Sequence, residues 1–207
     1  LLSQENRKLF NSLIFINANG KIDNKYDKIH LVPFGEYIPF RNKLKKIANF
    51  LSPRDFSTGV MKENINLRGF GEIITLICYE ILFSNEVNRR ISDNTKLIIN
   101  ITNDAWFGNT VGPYQHLALA KIRAVETGLP LVRVANTGIS AFISPYGDEI
   151  VKISLNKESV REANLISPLN QTLYKNFGDL IFAISILYLI SINFIIFYFQ
   201  RKVSYVK

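Results

Sequence analysis

The side chain in this sequence best suited to covalent chemistry is that of Cys78, the only cysteine among 207 residues. It follows an apolar, strand-like run, Ile73–Ile77, and precedes polar sequence typical of a helix. A nucleophile at the end of a buried strand is held rigidly, yet its side chain can reach a cleft. Because a lone cysteine is more often a small buried hydrophobe, Cys78 alone does not establish catalysis.

A second group of reactive side chains lies in a segment that cannot form a regular helix. Lys28, His30 and Glu36 fall within nine residues, and Pro33 and Pro39 interrupt the same stretch. Charged side chains on irregular chain are suited to the wall of a site. They are equally typical of an exposed turn with ordinary surface charges, so the spacing leaves both interpretations open.

Composition excludes several classes of protein. An apolar content of 47% with 15 Phe and 9 Tyr excludes general disorder. The net charge of +8 is spread along the chain without an arginine stripe and interleaved aromatics, so no nucleic-acid partner is expected. The sequence has neither a Cys/His cluster with metal spacing nor a dinucleotide or P-loop pattern, so no metal or cofactor is expected.

A chain of 207 residues is long enough for one sizeable domain, and the apolar pattern predicts a layered α/β fold. The chain opens with a polar stretch typical of a helix, Ser3–Asn11, and a hairpin follows, with strands Leu13–Ile16 and Lys21–Tyr26 joined at Asn19-Gly20. Four further strands are predicted at Ile73–Cys78, Lys96–Thr102, Pro130–Ala135 and Ser140–Ile143. Two helices are predicted at Leu82–Ser92 and Pro113–Thr127.

The end of the sequence has the composition of a transmembrane helix. Leu180–Phe199 is a run of twenty residues without a charge. About 20 residues match the roughly 30 Å hydrocarbon core of a bilayer. Arg201 and Lys202 follow at once, which places the C-terminus in the cytoplasm and the globular part outside the cytoplasmic membrane. The alternative, a buried core helix of a soluble protein, is disfavoured by the uninterrupted apolar span.

Three segments together resemble the carbon–nitrogen hydrolase (nitrilase) superfamily: Tyr26–Glu36, Cys78–Glu80 and Asn103–Gly108. With the apolar span they are similar to its membrane branch, the apolipoprotein N-acyltransferases. The resemblance implies an α/β fold, an incomplete nitrilase-like α-β-β-α sandwich plus a C-terminal transmembrane helix. Residues 1–174 would form the N-terminally truncated hydrolase-like domain, and residues 175–207 the transmembrane helix with a short basic tail.

The resemblance also implies a reaction and its residues. A fatty acyl group would pass from a phospholipid, through a thioester on Cys78, to the α-amino group of a diacylglyceryl-cysteine apolipoprotein. This would occur at the bacterial inner membrane, with the domain on the periplasmic side. Lys28 would stabilise the oxyanion together with the backbone N–H of Tyr79. Glu36 would orient Lys28 or assist proton transfer, and Glu80 would be a further site residue with an undefined role.

One member of the implied site is missing from this sequence. The family's general base is a glutamate in an upstream Trp-Pro-Glu type motif, and this sequence begins too late to include it. The chain is therefore expected to be the C-terminal part of a truncated or split acyltransferase and to be inactive alone. If the enzyme is split, a separately encoded N-terminal part would be its partner. Two alternatives stay open: a nitrilase-type amidase that hydrolyses a small amide, and a non-catalytic membrane-anchored remnant.

A basic segment, Arg41–Lys46, carries four positive charges among apolar residues. It predicts a short amphipathic helix, either solvated or resting on anionic lipid. With Phe40, Phe50 and Phe56 it is a candidate for a lid at the membrane surface.

Overall fold

Two β-sheets and a layer of helices form the globular part of a computed structural model that describes residues 2–5, 8–43, 54–60 and 64–204. The strands are β1 (Leu2–Glu5), β2 (Lys8–Ile16), β3 (Ile22–Asp27), β4 (Ile65–Leu67), β5 (Gly71–Ile77), β6 (Thr95–Asn103), β7 (Leu131–Asn136), β8 (Ser140–Ile143) and β9 (Glu149–Ile153). The α-helices are α1 (Ser84–Arg89), α2 (Gly112–Thr127), α3 (Leu173–Phe177) and α4 (Leu180–Ser204), and 3₁₀ turns cover Cys78–Leu82 and Asp104–Phe107.

The small sheet has the order β1-β2-β3 and is antiparallel throughout. The predicted hairpin is confirmed as β2 and β3. The helical interpretation of Ser3–Asn11 is wrong, because this stretch supplies β1 and the start of β2. Its polar residues have no strong strand propensity, but β1 pairs with Lys8–Asn11 of β2, and this pairing decides the local structure.

The large sheet has the order β4-β5-β6-β7-β8-β9, with β5, β6 and β7 parallel and the outer pairs antiparallel. The four strands predicted from continuous apolar runs are present as β5 to β8. Sequence reasoning missed β4 and β9 because both lie at the sheet edges, where the apolar pattern is weaker.

The helices cover one face of the large sheet. Ile74, Leu76 and Ile98 on this face pack against Leu117 and Ala120 of α2 in the larger apolar cluster. Helix α2 ends as predicted at Gly128, which has φ of 68° and donates its N–H to the Ala124 carbonyl. The predicted helix Leu82–Ser92 is shorter than expected, since only Ser84–Arg89 is α-helical.

The small sheet covers only part of the opposite face. Leu13 and Tyr26 pack there on Ile77 in the second apolar cluster. Farther along the same face, the register partners Ile101 and Val134 remain 41% and 51% exposed. The described residues therefore form a helix layer, a complete sheet and a partial second sheet, consistent with an incomplete α-β-β-α sandwich.

The C-terminal helix α4 projects from the domain with an apolar surface. Its segment Leu180–Tyr198 is long and apolar enough to cross a membrane, and none of this segment is buried. Asp179, just before α4, accepts a hydrogen bond from Asn85 at 2.5 Å, and Thr172, just before α3, donates to the Glu126 carbonyl at 2.5 Å.

The predicted lid segment lies only partly within the described residues. Arg41 makes a two-pronged ion pair with Asp55, at 2.7 and 2.6 Å, in an irregular stretch that ends the described range at Lys43. The rest of the predicted amphipathic helix, including Phe50, lies outside the described residues.

Candidate active site

Cys78 follows the carboxyl end of β5, the first of the three parallel strands, where the chain turns sharply into the 3₁₀ turn Cys78–Leu82. Its φ is 53°, in the left-handed region that non-glycine residues rarely adopt. Such a conformation costs about 1–3 kcal/mol and persists only where the surrounding contacts impose it. Cys78, Tyr79 and Leu82 of this turn line a cavity, and Cys78 is partly exposed.

Glu80 supplies the contacts that impose this turn. One carboxylate oxygen accepts the N–H of Ile77, the residue before Cys78, at 2.7 Å. The other accepts the N–H groups of Ile29 and His30 at 2.7 and 3.1 Å, and the Tyr26 hydroxyl at 2.9 Å. Glu80 thus ties the Cys78 turn to the segment that follows Lys28, and we infer a positioning role.

The environment of Glu80 also changes its proton affinity. Burial raises the pKa of its carboxyl, and the four hydrogen bonds that it accepts oppose this effect without cancelling it. Burial likewise raises the pKa of the Tyr26 phenol, with a further increase from the nearby Glu80 charge. The Glu80 carboxyl and the Tyr26 phenol therefore both keep their protons up to a higher pH than they would in water.

Lys28 and Glu36 form a largely buried ion pair that lines the same cavity as Cys78. Lys28 is 1% exposed, and its Nζ lies 2.8 Å from Glu36 Oε2. The same oxygen accepts the Val32 N–H at 2.8 Å, and Oε1 accepts from Asn11 Nδ2 at 2.8 Å. Glu36 is therefore held in place by three donors and presents a fixed lysine to the cavity.

A single cavity of about 810 Å³ brings the predicted site residues together. It is lined by Cys78, Tyr79, Lys28 and Glu36, whereas Glu80 lies behind the wall and is not a lining residue. The remaining lining is largely apolar, with contributions from Leu13, Val32, Phe56, Ile77, Leu82, Ile101, Trp106, Phe107 and Leu119. This combination suits a long apolar substrate with one reactive polar centre.

The structure also contains a buried polar cluster that the sequence analysis did not identify. Asp104 accepts from Arg133 Nη2 at 2.7 Å, from His116 Nδ1 at 2.9 Å and from Thr102 Oγ1 at 3.0 Å. Burial tends to raise the pKa of Asp104, but the His116 hydrogen bond and the Arg133 charge outweigh it, and the pKa is lowered. The sequence signal was present: Arg133 is a charge inside an apolar strand.

The position of Asp104 depends on a close approach of the backbone at Gly138. A Cβ atom at Gly138 would lie 2.4 Å from Asp104 Oδ2. Gly138→Ala is therefore expected to displace the carboxylate from Arg133 and to lower the free energy of unfolding by about 1–3 kcal/mol. Chemical denaturation in detergent, followed by circular dichroism, measures this. Gly35→Ala is the control, since its Cβ would meet Val32 at an ordinary 3.4 Å. Equal stability of the two variants would contradict the prediction.

No group of three or more His, Cys, Asp or Glu side chains in the described part of the chain is arranged to hold a metal ion. The cavity is lined by the Cys78 thiol, by the Lys28 side chain held by Glu36, and by the start of the 3₁₀ turn at Tyr79. A thiol can form and release an acyl intermediate, and a cation beside it can stabilise an oxyanion in a water-poor site.

The fold is a layered α/β domain, and one cavity is lined by a thiol and by a lysine–glutamate ion pair. Residues 1–171 match the family model of carbon–nitrogen hydrolases, and the chain belongs to that family. It is 42% identical over 177 residues to an apolipoprotein N-acyltransferase of Rhodopseudomonas palustris, covering 84% of this chain and 33% of that protein. It is 45% identical over 159 residues to one of Allorhizobium ampelinum, covering 75% and 30%. The resemblance expected from the motifs is confirmed.

Solved structures show the same fold at low sequence identity. A carbon–nitrogen hydrolase from Helicobacter pylori superimposes with a TM-score of 0.56 at 17% identity, over 76% of this chain and 57% of that one. Nit3 from Saccharomyces cerevisiae, of the nitrilase superfamily, gives 0.55 at 20% identity, over 73% and 52%. The predicted nitrilase-like fold is confirmed. The chain spans about a third of the length of the curated relatives it matches.

Proposed function

We propose that this chain carries the nucleophile half of a phospholipid-to-apolipoprotein N-acyltransferase. The observation that carries the proposal is the placement of Cys78 beside the buried Lys28–Glu36 pair in a mostly apolar cavity, in a chain with a membrane-length apolar helix. The identity to proteins named apolipoprotein N-acyltransferase supports it. The membrane location supplies the acyl donor.

In the first step, the Cys78 sulfur attacks the ester carbonyl of a phospholipid. The thiol proton passes to the general base, a C–S bond forms, the C–O bond to the glycerol breaks, and the lysophospholipid alkoxide takes that proton from the base. Lys28 stabilises the oxyanion from one side, and the Tyr79 N–H is the second donor. In the second step, the α-amino group of a diacylglyceryl-cysteine attacks the thioester and releases the thiol.

Glu36 orients Lys28 in this scheme. Because both of its oxygens are engaged by structural donors, it is poorly placed to take a proton from the thiol. Glu80 is also fully engaged. We therefore assign thiol activation to a glutamate on a separately encoded N-terminal part, which would also cover the exposed face at Ile101 and Val134.

An acyl-transfer assay tests the proposal. Purified chain, phospholipid and a diacylglyceryl-cysteine peptide are combined in detergent, with and without the co-expressed upstream polypeptide. The chain alone is expected to be slower than the complex by about 10²–10⁴, the usual effect of lost acid–base assistance. Robust turnover by the chain alone that vanishes in Cys78→Ala would contradict its inactivity. Hydrolysis of small amides by the complex, without acyl transfer, would favour the amidase alternative.

The proposed orientation places residues 1–174 in the periplasm, residues 175–207 across the membrane and the C-terminus in the cytoplasm. Because Cys78 is the only thiol and is partly exposed, a membrane-impermeant maleimide is expected to label intact spheroplasts expressing the chain. A Cys78→Ala, Lys207→Cys variant is the matched control and should react only after permeabilisation. The reverse pattern would contradict the orientation.

A further inference from the structure

Asn100 is a fully buried amide on β6, and its two ends meet different partners. Its Oδ1 accepts a hydrogen bond from Arg133 Nη1 at 2.5 Å. Its Nδ2 faces the carbonyl oxygens of Leu76 and Cys78, at 3.4 and 3.5 Å. Because arginine can only donate and a carbonyl can only accept, these neighbours admit one orientation of the amide. Asn100 therefore links β6 to the end of β5 at the residue that carries the thiol.

Arg133 holds the Asn100 amide in this orientation. It lies opposite Asn100 on the neighbouring strand β7 and is 1% exposed. Its Nη2 donates to Asp104 at 2.7 Å, and its Nε donates to the Ile139 carbonyl at 3.3 Å. Burial lowers the pKa of the guanidinium, whereas the charges of Asp104 and of the Cys78 thiolate raise it. Arg133 is thus fixed on three sides, and its charge lies within electrostatic reach of the thiol.

The carbonyl that Asn100 faces belongs to the same peptide unit as the Tyr79 N–H. In a planar trans peptide the carbonyl oxygen and the N–H point in opposite directions. The φ of 53° at Cys78 is not a local preference, so surrounding contacts must hold this turn. Glu80 binds the N–H of Ile77 on one side of Cys78, and Asn100 faces the carbonyl on the other. The direction of the Tyr79 N–H therefore depends on the contact with Asn100.

We propose that Asn100 is a positioning residue of the acylation step, because its amide, held by Arg133, orients the peptide whose Tyr79 N–H donates to the oxyanion. This inference rests on the function proposed above, in which an oxyanion forms when Cys78 attacks an ester. Asn100 does not line the cavity, so it acts through this peptide and not by contact with the acyl donor. Its loss should lower the rate of acylation without weakening the binding of the ester.

The test compares two reactions of the same thiol. The full chain in detergent is acylated with a p-nitrophenyl fatty ester at a series of concentrations, and Cys78→Ala identifies acylation elsewhere. In parallel, iodoacetamide alkylates the thiol without forming an oxyanion. Both rates are measured as a function of pH, because a change in the thiolate fraction slows the two reactions alike. The ratio of acylation to alkylation therefore reports on stabilisation of the oxyanion.

Asn100→Asp keeps an acceptor for Arg133 but replaces the amide donor with an oxygen that repels the Leu76 and Cys78 carbonyls. At saturating ester, acylation is expected to slow by about 10²-fold relative to alkylation, the usual effect of a displacement of about 1 Å. The ester concentration that gives half the maximal rate should not change. Asn100→Ser is uncharged and too short to reach the two carbonyls, so it gives the same test if the aspartate variant does not fold.

Asn88→Asp is the matched control. Asn88 Nδ2 also faces two backbone carbonyls, those of Tyr174 and Lys175, at 3.5 and 3.3 Å, but this residue does not line the cavity. The same chemical change is therefore made away from the Cys78 turn. The ratio of acylation to alkylation should remain that of the unmodified chain, even if the free energy of unfolding falls.

A folded Asn100→Ser chain that is acylated at the unmodified rate would overturn the proposal. So would equal slowing of acylation and alkylation in the Asn100 variants, or a changed ratio in Asn88→Asp. Failure of the proposed function gives a different result: no acyl group reaches the diacylglyceryl-cysteine peptide in the assay above, while the Asn100 variants still slow acylation of Cys78. That separation holds because attack on any ester forms the same oxyanion.

Discussion

Lys28→Met is expected to lower the free energy of unfolding by about 3–5 kcal/mol, because it leaves the Glu36 carboxylate in a buried site without its cation. The same substitution removes the charge that would stabilise the oxyanion on acylation of Cys78. The rate of Cys78 acylation by a p-nitrophenyl fatty ester is expected to fall by about 10²–10³-fold. Denaturation in detergent and mass spectrometry measure the two effects.

A double substitution separates the two roles of Lys28. In Lys28→Met with Glu36→Gln, the unpaired carboxylate is gone, so most of the lost stability should return. The acylation rate should not return, because the cation is still missing. Lys152→Met is the matched control: its Nζ lies 2.9 Å from Glu149, the two side chains are 38% and 23% exposed, and pairs near the surface contribute about 0–1 kcal/mol.

Recovery of acylation in the double variant would show that Lys28 acts only by neutralising Glu36. In that case the oxyanion role would be wrong, and the proposed chemistry would rest on backbone donors alone. Alkylation of Cys78 by iodoacetamide provides an internal standard, since that reaction forms no oxyanion and reports only on access to the thiol.

The sequence was sufficient for those elements whose signal is local. Continuous apolar runs gave β5 and β6, because a strand covered on both sides needs apolar residues at successive positions. The Asn19-Gly20 turn located the hairpin, and Pro113 with Gly128 delimited α2. Cys78 and Lys28 were identified from motifs, and the structure places them on one cavity.

The sequence was insufficient where distant residues decide the structure. Glu80 bonds with Tyr26, Ile29 and His30, which lie 50 or more positions earlier, and no local pattern records such contacts. Asp104, His116 and Arg133 likewise come from three different elements. The edge strand β1 forms through its pairing with β2 rather than from its own residue preferences.

The incomplete second sheet connects the fold to the proposed mode of action. The exposed face at Ile101 and Val134 belongs to the same strands, β6 and β7, that carry Asn100 and Arg133 on their other face. The proposed N-terminal part, if it covers this face, would pack against β6 and β7, which carry the side chains of the buried cluster. We therefore propose that completion of the sandwich and activation of the thiol occur together.

The last prediction concerns Glu80, whose carboxylate accepts four hydrogen bonds. In Glu80→Gln the amide oxygen can replace one carboxylate oxygen, but the amide NH₂ must then face a protein donor. If the oxygen remains with Tyr26, Ile29 and His30, the NH₂ meets the N–H of Ile77. A buried donor facing another donor loses its hydrogen bond, and the free energy of unfolding should fall by about 1.5–3 kcal/mol.

The functional effect of Glu80→Gln should exceed its effect on stability. The lost bond lies one residue before Cys78, whose φ of 53° is maintained by its surroundings. Relaxation of this turn would move the sulfur relative to Lys28, and a displacement of about 1 Å can slow a reaction by about 10²-fold. Acylation of Cys78 should therefore slow by that amount while iodoacetamide still alkylates the thiol. Glu86→Gln, at a half-exposed carboxylate, is the control. If acylation and alkylation slowed equally, Glu80 would act on access to the thiol and not on its placement beside Lys28.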